Sequence, residues 1–188
     1  LEEEWRMTSD SLGNGTSRTQ LSQATLVERL KGVKLLSLDV DGVLTDGGLY
    51  YTDDGQQLRK FNVKDGMGIQ RVRAAGVEVA VISAAKAPAI LRRGESLGLA
   101  HVVVGCDDKL AALVIICGKL GVDLADVAHM GDDLNDVPVL EVVGLPLSVA
   151  DAVAEARAAA AYVTERRGGD GAVREICNLM VAARDDSA

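Results

Sequence analysis

The sequence predicts an α/β fold: a doubly wound, mainly parallel, Rossmann-like sheet with a β-hairpin insertion and no large cap domain. Two observations lead there. Short runs of Val, Leu, Ile and Ala recur, each followed by a stretch of helical length that a glycine stops. The core must also be aliphatic, because 48% of the 188 residues are hydrophobic while only 3% are aromatic. Strands alternating with helices at this spacing make βαβ units, whose helices cover both faces of a parallel sheet.

The elements follow in order. Residues 1–30 read as a flexible N-terminal tail, rich in Ser, Thr, Gly and charge over Leu1–Gln20, with room for a short helix over 21–31; residues 31–188 read as a single domain. Lys34–Val40 is an apolar run ending in acidic residues, a buried strand with a functional tip. Leu49–Tyr51 and Leu58–Val63 flank Asp53-Asp54-Gly55, a hairpin signal. Asp65 can cap a helix reaching about Ala75, where Gly76 ends it. Val77–Ile82 is a second strand, followed by a helix to about Leu97. His101–Val104 is a third strand, and Asp107 or Asp108 opens a helix to about Leu120. Val127–Met130 is a fourth strand. Pro146–Val149, a helix from Asp151, Tyr162–Thr164 and a last helix around Gly171–Arg184 complete the chain.

Composition narrows the function classes. A net charge of −8 argues against sequence-independent nucleic-acid binding, which needs a basic footprint. It leaves anionic substrates open, because a metal ion and a few cations can make a local positive site. The 3 cysteines form no C-x-x-C pair, so neither a disulfide framework nor a zinc site is expected, and a reducing cytoplasm is the plain reading. No apolar run reaches the ~18–20 residues that span a bilayer, and no charged-then-apolar leader is seen. No membrane partner is expected.

The chemistry lies at the strand ends. After the first strand comes Asp39-Val-Asp41-Gly42-Val-Leu-Thr45-Asp46; after the second, Ser83; the helix after the third begins beside Lys109; after the fourth comes Gly131-Asp132-Asp133-Leu-Asn135-Asp136. Ligands of such sheets sit at the carboxyl ends of the strands, so these segments should meet at one edge. Each has an ordinary reading alone: a turn, a helix cap, a solvated lysine. Their order, each at a strand end, makes coincidence a poor account. Clustered carboxylates repel at neutral pH, and a hard divalent cation with oxygen ligands, Mg²⁺, removes that cost. Lys109 and Ser83 can neutralise and hydrogen-bond phosphate oxygens. One carboxylate can attack phosphorus while a second protonates the leaving oxygen.

This set, with its D-x-D-G-V-L-T-D-G and G-D-D-L-N-D segments, resembles the haloacid dehalogenase superfamily. The resemblance is closer still to its small tetrameric, cap-less branch, the 3-deoxy-D-manno-octulosonate 8-phosphate phosphatases. Phe61–Ile69 and Gly168–Glu175 resemble that branch's post-hairpin and C-terminal segments. The resemblance covers about residues 33–183 and implies the following. Asp39 would be nucleophile and metal ligand. Asp41 would be the acid/base and a ligand through its backbone carbonyl, and Asp132 would complete the protein ligands. Ser83 and Lys109 would hold the phosphoryl group, with Gly42 among the substrate contacts. Asp133 and Asp136 would support Lys109 and the metal shell. The Tyr50–Phe61 hairpin would assemble a homotetramer in which a neighbouring subunit closes each site.

One departure concerns substrate choice. The branch carries Gly-Arg after the Ser or Thr of its second motif, and relatives acting on nine-carbon sugar acids carry Glu at the second position; here stand Ala84 and Ala85. Lys64 and Arg93 are then the candidate anion contacts. The expected substrate is a phosphorylated 3-deoxy-2-keto sugar acid, the eight-carbon octulosonate first. The rivals are a nine-carbon ulosonate 9-phosphate phosphatase and a non-catalytic assembly domain like those appended to acylneuraminate cytidylyltransferases. A phosphorelay receiver would share the phospho-accepting Asp, but gives no reason for Asp41, the hairpin or the Gly-rich C-terminal segment.

Overall fold

The computed structural model describes residues 20–185. Its strands, in chain order, are β1 (Leu35–Leu38), β2 (Tyr50–Tyr51), β3 (Gln57–Leu58), β4 (Glu78–Ile82), β5 (His101–Val103), β6 (Val127–Gly131), β7 (Leu145–Ser148) and β8 (Tyr162–Val163). The helices are α1 (Gln23–Gly32), α2 (Val63–Ala74), α3 (Pro88–Ser96), α4 (Lys109–Leu120), α5 (Val137–Leu140), α6 (Ala154–Ala159) and α7 (Ala172–Asp185). Six strands form one sheet in the order β5-β4-β1-β6-β7-β8, every pairing parallel. The chain winds outward from β1 to β5, then returns to β6 on the other side of β1. The reversal between β1 and β6 is the point where such sheets open a crevice at their carboxyl edge.

Alternation along β1 divides its side chains between two layers. Leu36 and Leu38 join the core under α1, α2, α3 and α7, while Leu35 joins the core under α4 and α5. Ser37 and Asp39 therefore share the α4/α5 face with Leu35. On the neighbouring strand His129 stands in register with Ser37, and it too faces that layer. A strand buried on both faces thus places its polar residues on one side, near the edge where the site forms.

The hairpin pairs Tyr50 with Leu58 and Tyr51 with Gln57. It is shorter than the sequence predicts, because Asn62 caps α2 through a bond from the Lys64 amide, so Val63 starts the helix. Asp65 is not that cap. It lies buried within α2 and accepts from the amides of Gly171 (3.3 Å) and Arg174 (2.8 Å), tying the start of α7 to α2. By contrast, α4 starts as expected: Asp108 accepts from the Ala111 amide at 2.9 Å, and the helix ends at Gly121 with φ 65°. The helix expected from Asp151 begins later, at Ala154.

The expected tail boundary at residue 30 is corrected. It falls inside α1, whose Leu26 and Leu30 are fully buried in the core. Arg184 of α7 donates to the Leu30 carbonyl at 2.8 Å, and Leu21 donates to Ala161 at 2.9 Å. An apolar stripe on α1 needed burial, and the face of α7 supplies it. The part of the expected tail over 1–19 lies outside the described residues. Cys106, Cys117 and Cys177 are free thiols. No described helix is long and apolar enough to cross a membrane.

Candidate active site

The strand-end clusters meet at the carboxyl edge of β1 and β6. Asp39 follows β1, and its amide donates to the Met130 carbonyl at 3.0 Å, locking the two strand ends together. Lys109 opens α4 on the same face and is only 3% exposed. Its Nζ donates to Asp39 Oδ1 at 2.7 Å and to Asp136 Oδ1 at 2.6 Å. The ordinary reading of Lys109 as a solvated helix residue is thereby excluded.

Asp136 organises the loop after β6. Its Oδ2 accepts from the amides of Asp132 (3.2 Å) and Asp133 (3.4 Å), and its Oδ1 also meets His129 Nε2 at 3.3 Å. The other ring nitrogen, His129 Nδ1, lies 3.1 Å from Ser37 Oγ. Asp133 is exposed and caps the turn at Leu134–Asp136, so it supports the site through backbone geometry rather than by touching Lys109. Ser83, buried at the end of β4, accepts from the Ala85 amide at 3.2 Å. It does not cap α3, which starts five positions later at Pro88.

The electrostatics leave a charge to be neutralised. Asp39, Asp132 and Asp136 offer oxygens all within 4.8 Å of one another, and Lys109 is the cation among them. Burial, then repulsion from Asp136, pushes the Asp39 carboxyl up to about 7 despite Lys109. Burial, then the charges of Asp39 and Asp136, pushes Asp132 up to about 8. Burial also opposes ionisation of Asp136, but the His129 bond and the Lys109 ammonium outweigh it and hold Asp136 at about 2. Lys109 stays a cation: burial works against its charge, and Asp39 and Asp136 overcome it. One ammonium cannot balance this many carboxylates, and the shortfall suits a divalent ion.

The donor set fits such an ion on a second count. Asp132 Oδ1 is buried with no hydrogen-bond partner among the described residues. Orphaned buried carboxylate oxygens are costly. Both oxygens of Asp136 are already taken by donors, so Asp39 and Asp132 are the carboxylates with capacity to spare. Gly42 lies against Asp132 with φ +94°, and a Cβ there would fall on its carboxylate. Only glycine permits that approach.

The C-terminal Gly-rich segment holds the loop after β1 from outside. The Gly169 amide donates to the Val43 carbonyl at 2.9 Å, and Asn62 Nδ2 donates to the Gly169 carbonyl at 3.1 Å. A segment distant in sequence thus fixes the turn that carries Asp39 and Asp41.

Asp41 is not among these clustered carboxylates; its carboxylate pairs with Arg59 at the foot of the hairpin. Beyond it opens a cavity of about 720 Å³, lined among others by Asp41, Leu49, Arg59, Ala85 and Lys86. The two expected anion contacts do not line it. Arg93 donates to the Asn62 carbonyl at 3.3 Å and lies over the Phe61 ring at 5.8 Å, so it braces the start of α2. Lys64 is an exposed residue in the first turn of α2. Arg59, Lys86 and His129 escaped the sequence reading. His129 carried a signal, one polar residue in an apolar strand run. Lys86 stands beside the Ala84-Ala85 departure. Arg59 carried none, because a hairpin arginine reads as surface charge.

Comparison with known proteins agrees with this geometry. The haloacid dehalogenase-like hydrolase family matches residues 98–176. The chain is 43% identical over 161 residues to the 3-deoxy-D-manno-octulosonate 8-phosphate phosphatase of Escherichia coli (strain K12), covering 86% of each chain. The crystal structure of the Moraxella catarrhalis enzyme of that name, in complex with magnesium ion, phosphate ion and KDO molecule, matches with a TM-score of 0.85 at 37% identity, over 88% of this chain and 95% of that one. The Yersinia pestis structure of that name matches with a TM-score of 0.83 at 41% identity, over 85% of this chain and 86% of that one. With the sheet order and the strand-end carboxylates already in place, these likenesses show that the chain belongs to the haloacid dehalogenase-like hydrolases, in the family of the 3-deoxy-D-manno-octulosonate 8-phosphate phosphatases.

Proposed function

We propose that the chain is a Mg²⁺-dependent phosphoric monoester hydrolase acting on 3-deoxy-D-manno-octulosonate 8-phosphate through an aspartyl-phosphate on Asp39. The observation that carries this reading is the carboxylate cluster around buried Lys109, with an orphaned Asp132 oxygen, at the carboxyl edge of a sheet in this family. Asp39, Asp132 and the Asp41 backbone carbonyl would hold the metal. When bound, Mg²⁺ offsets the carboxylate repulsion and the phosphate charge and polarises a phosphoryl oxygen.

The residues of the chain account for the remaining chemistry. The Asp39 carboxylate attacks phosphorus as the ester P–O bond breaks, and Asp41, whose two oxygens accept from Arg59 in the free protein, takes up a proton, turns toward Asp39 and gives that proton to the departing sugar oxygen. Asp41, now a carboxylate, takes a proton from the water that attacks the aspartyl-phosphate, which releases phosphate and restores Asp39. Lys109 and Ser83 hold the phosphoryl oxygens, and Gly42 leaves room for the backbone to approach them. Asp136 keeps Lys109 in place, and His129 and Asp133 keep Asp136 in place.

Exposed Leu49, Tyr50, Tyr51 and Leu58 gather on and beside the hairpin. An apolar patch on so small an element supports assembly through it, and the proposed state is a homotetramer in a reducing cytoplasm. The test of function is phosphate release from octulosonate 8-phosphate and from a nine-carbon ulosonate 9-phosphate, with Mg²⁺ and with EDTA. Turnover of the first, abolished by EDTA, is expected. Preference for the second would move the assignment to the nine-carbon acids, and release from neither would leave a non-catalytic assembly domain.

A further inference from the structure

On the reading given above Asp41 protonates the oxygen of the leaving group, so the leaving group would occupy the space beside Asp41. That space is the cavity bounded by Asp41 and Arg59 on one side and the turn from Ala84 to Lys86 on the other. A sugar acid brings a carboxylate into it, and the wall must supply a cation. Arg59 is already committed: both carboxylate oxygens of Asp41 accept from it. Lys86 is not, since it has no ion pair or hydrogen bond to a side chain or backbone group among the described residues. Arg93 and Lys64 lie elsewhere.

The turn that carries Lys86 is built rather than loose. Ser83 Oγ accepts from the Ala85 amide at 3.2 Å, the Ala85 carbonyl accepts from the Gly105 amide at 2.9 Å, and the Ser83 carbonyl accepts from the Cys106 amide at 3.0 Å. The stem of Lys86 lies flat on Gly105: a Cβ at that position, where φ is +65°, would sit 2.8 Å from Lys86 Cγ and 3.0 Å from its Cε. A side chain there would push the lysine off its track. The same turn therefore holds Ser83, the residue proposed to face the phosphate, at one end and leaves an exposed, unpartnered lysine beside the cavity at the other.

We propose that Lys86 recognises the carboxylate of the sugar-acid leaving group and sets the preference for acidic over neutral sugar phosphates; this rests on the substrate reading given above. Ala84 and Ala85 leave the path to it open. A charge-assisted contact of this kind discriminates by about tenfold or more between a ligand that carries the anion and one that lacks it.

The experiment compares kcat/KM for octulosonate 8-phosphate and for the neutral D-arabinose 5-phosphate in the wild type, Lys86→Met and Lys86→Arg. Lys86→Met keeps the stem on Gly105 and removes the charge. The ratio of the two kcat/KM values is expected to fall about tenfold in Lys86→Met, through KM for the acid, and to recover in Lys86→Arg. An unchanged ratio, or an equal loss on both substrates, overturns the assignment of Lys86 while leaving the phosphatase reading intact. A wild type that hydrolyses the neutral phosphate but not the acid overturns the substrate reading, and the role of Lys86 falls with it.

Discussion

Arg59 grips both carboxylate oxygens of Asp41, Nε on Oδ1 at 2.7 Å and Nη2 on Oδ2 at 3.1 Å. The pair joins the hairpin to the residue proposed as acid/base, and the arginine side chain is only 3% exposed. Bidentate guanidinium–carboxylate pairs fix orientation as well as charge. Arg59→Gln is expected to lower kcat/KM about tenfold or more, with Arg59→Lys in between, because an ammonium cannot reproduce the fork. Steady-state kinetics check this; wild-type values in Arg59→Gln would mean that the contact only moors the hairpin.

Lys109 is expected to matter for the fold as well as for the chemistry. A surface lysine costs within ~0.5 kcal/mol on removal, and its place in the sequence suggests no more. Buried between Asp39 and Asp136, it is instead half of a desolvated ion-pair cluster. Breaking such a cluster from one side costs about 3–5 kcal/mol when the partner stays charged, and less where a carboxylate such as Asp39 can take up a proton. Lys109→Met is thus expected to lower both kcat, by about a hundredfold or more, and the metal-free Tm, with a larger Tm loss at pH 8 than at pH 6. An unchanged melt would contradict the buried placement.

The metal-free protein should become less stable as pH rises between about 4 and 8. Asp39 and Asp132 have folded-state values of about 7 and about 8, above the ordinary 3.8, so over that window the folded form binds more protons than the unfolded one. Asp136 acts in the other direction, but at about 2 its folded-state transition falls below the window. Mg²⁺ binds the deprotonated ligands and should raise Tm more at pH 8 than at pH 5.5. Asp132→Asn is expected to flatten the pH slope and remove most of the Mg²⁺ effect. A melting temperature that climbs from pH 5.5 to pH 8 without metal would refute the carboxylate strain.

Replacing Tyr50, Tyr51 and Leu58 together with Ser is expected to dissociate the proposed tetramer, because these side chains are exposed and the bond they make in the protomer, Gln57 Nε2 donating to the Tyr51 hydroxyl, lies within the hairpin itself. Sedimentation velocity reads the outcome. A variant that keeps the wild-type mass would place the interface elsewhere.

Much of this was legible in the chain. The run before Asp39 and the run before Gly131 are long enough and apolar enough to be central strands, and their acidic ends marked the crevice. Lys109 was legible only by its order, since nothing local says that it turns inward. The register that sets His129 opposite Ser37, and then beneath Asp136, depends on strand pairing, which no local pattern encodes. Asp65 misled because an Asp near a helix start is a good cap in isolation; Asn62 takes that role, and burial turns Asp65 toward α7. The boundary at residue 30 misled for a similar reason: α1 is weakly apolar by itself, and the groove that buries Leu26 and Leu30 is made by α7 far along the chain.

The central claim is that phosphorus is transferred to Asp39. The direct measurement is rapid quench of the Mg²⁺-loaded protein with octulosonate 8-phosphate, borohydride reduction, and peptide mass spectrometry across Leu35–Thr45. An acyl phosphate is reduced to the alcohol, so the expected product is homoserine at position 39, absent without substrate and absent in Asp39→Asn. Steady phosphate release with no homoserine at position 39 under the same quench would contradict the account.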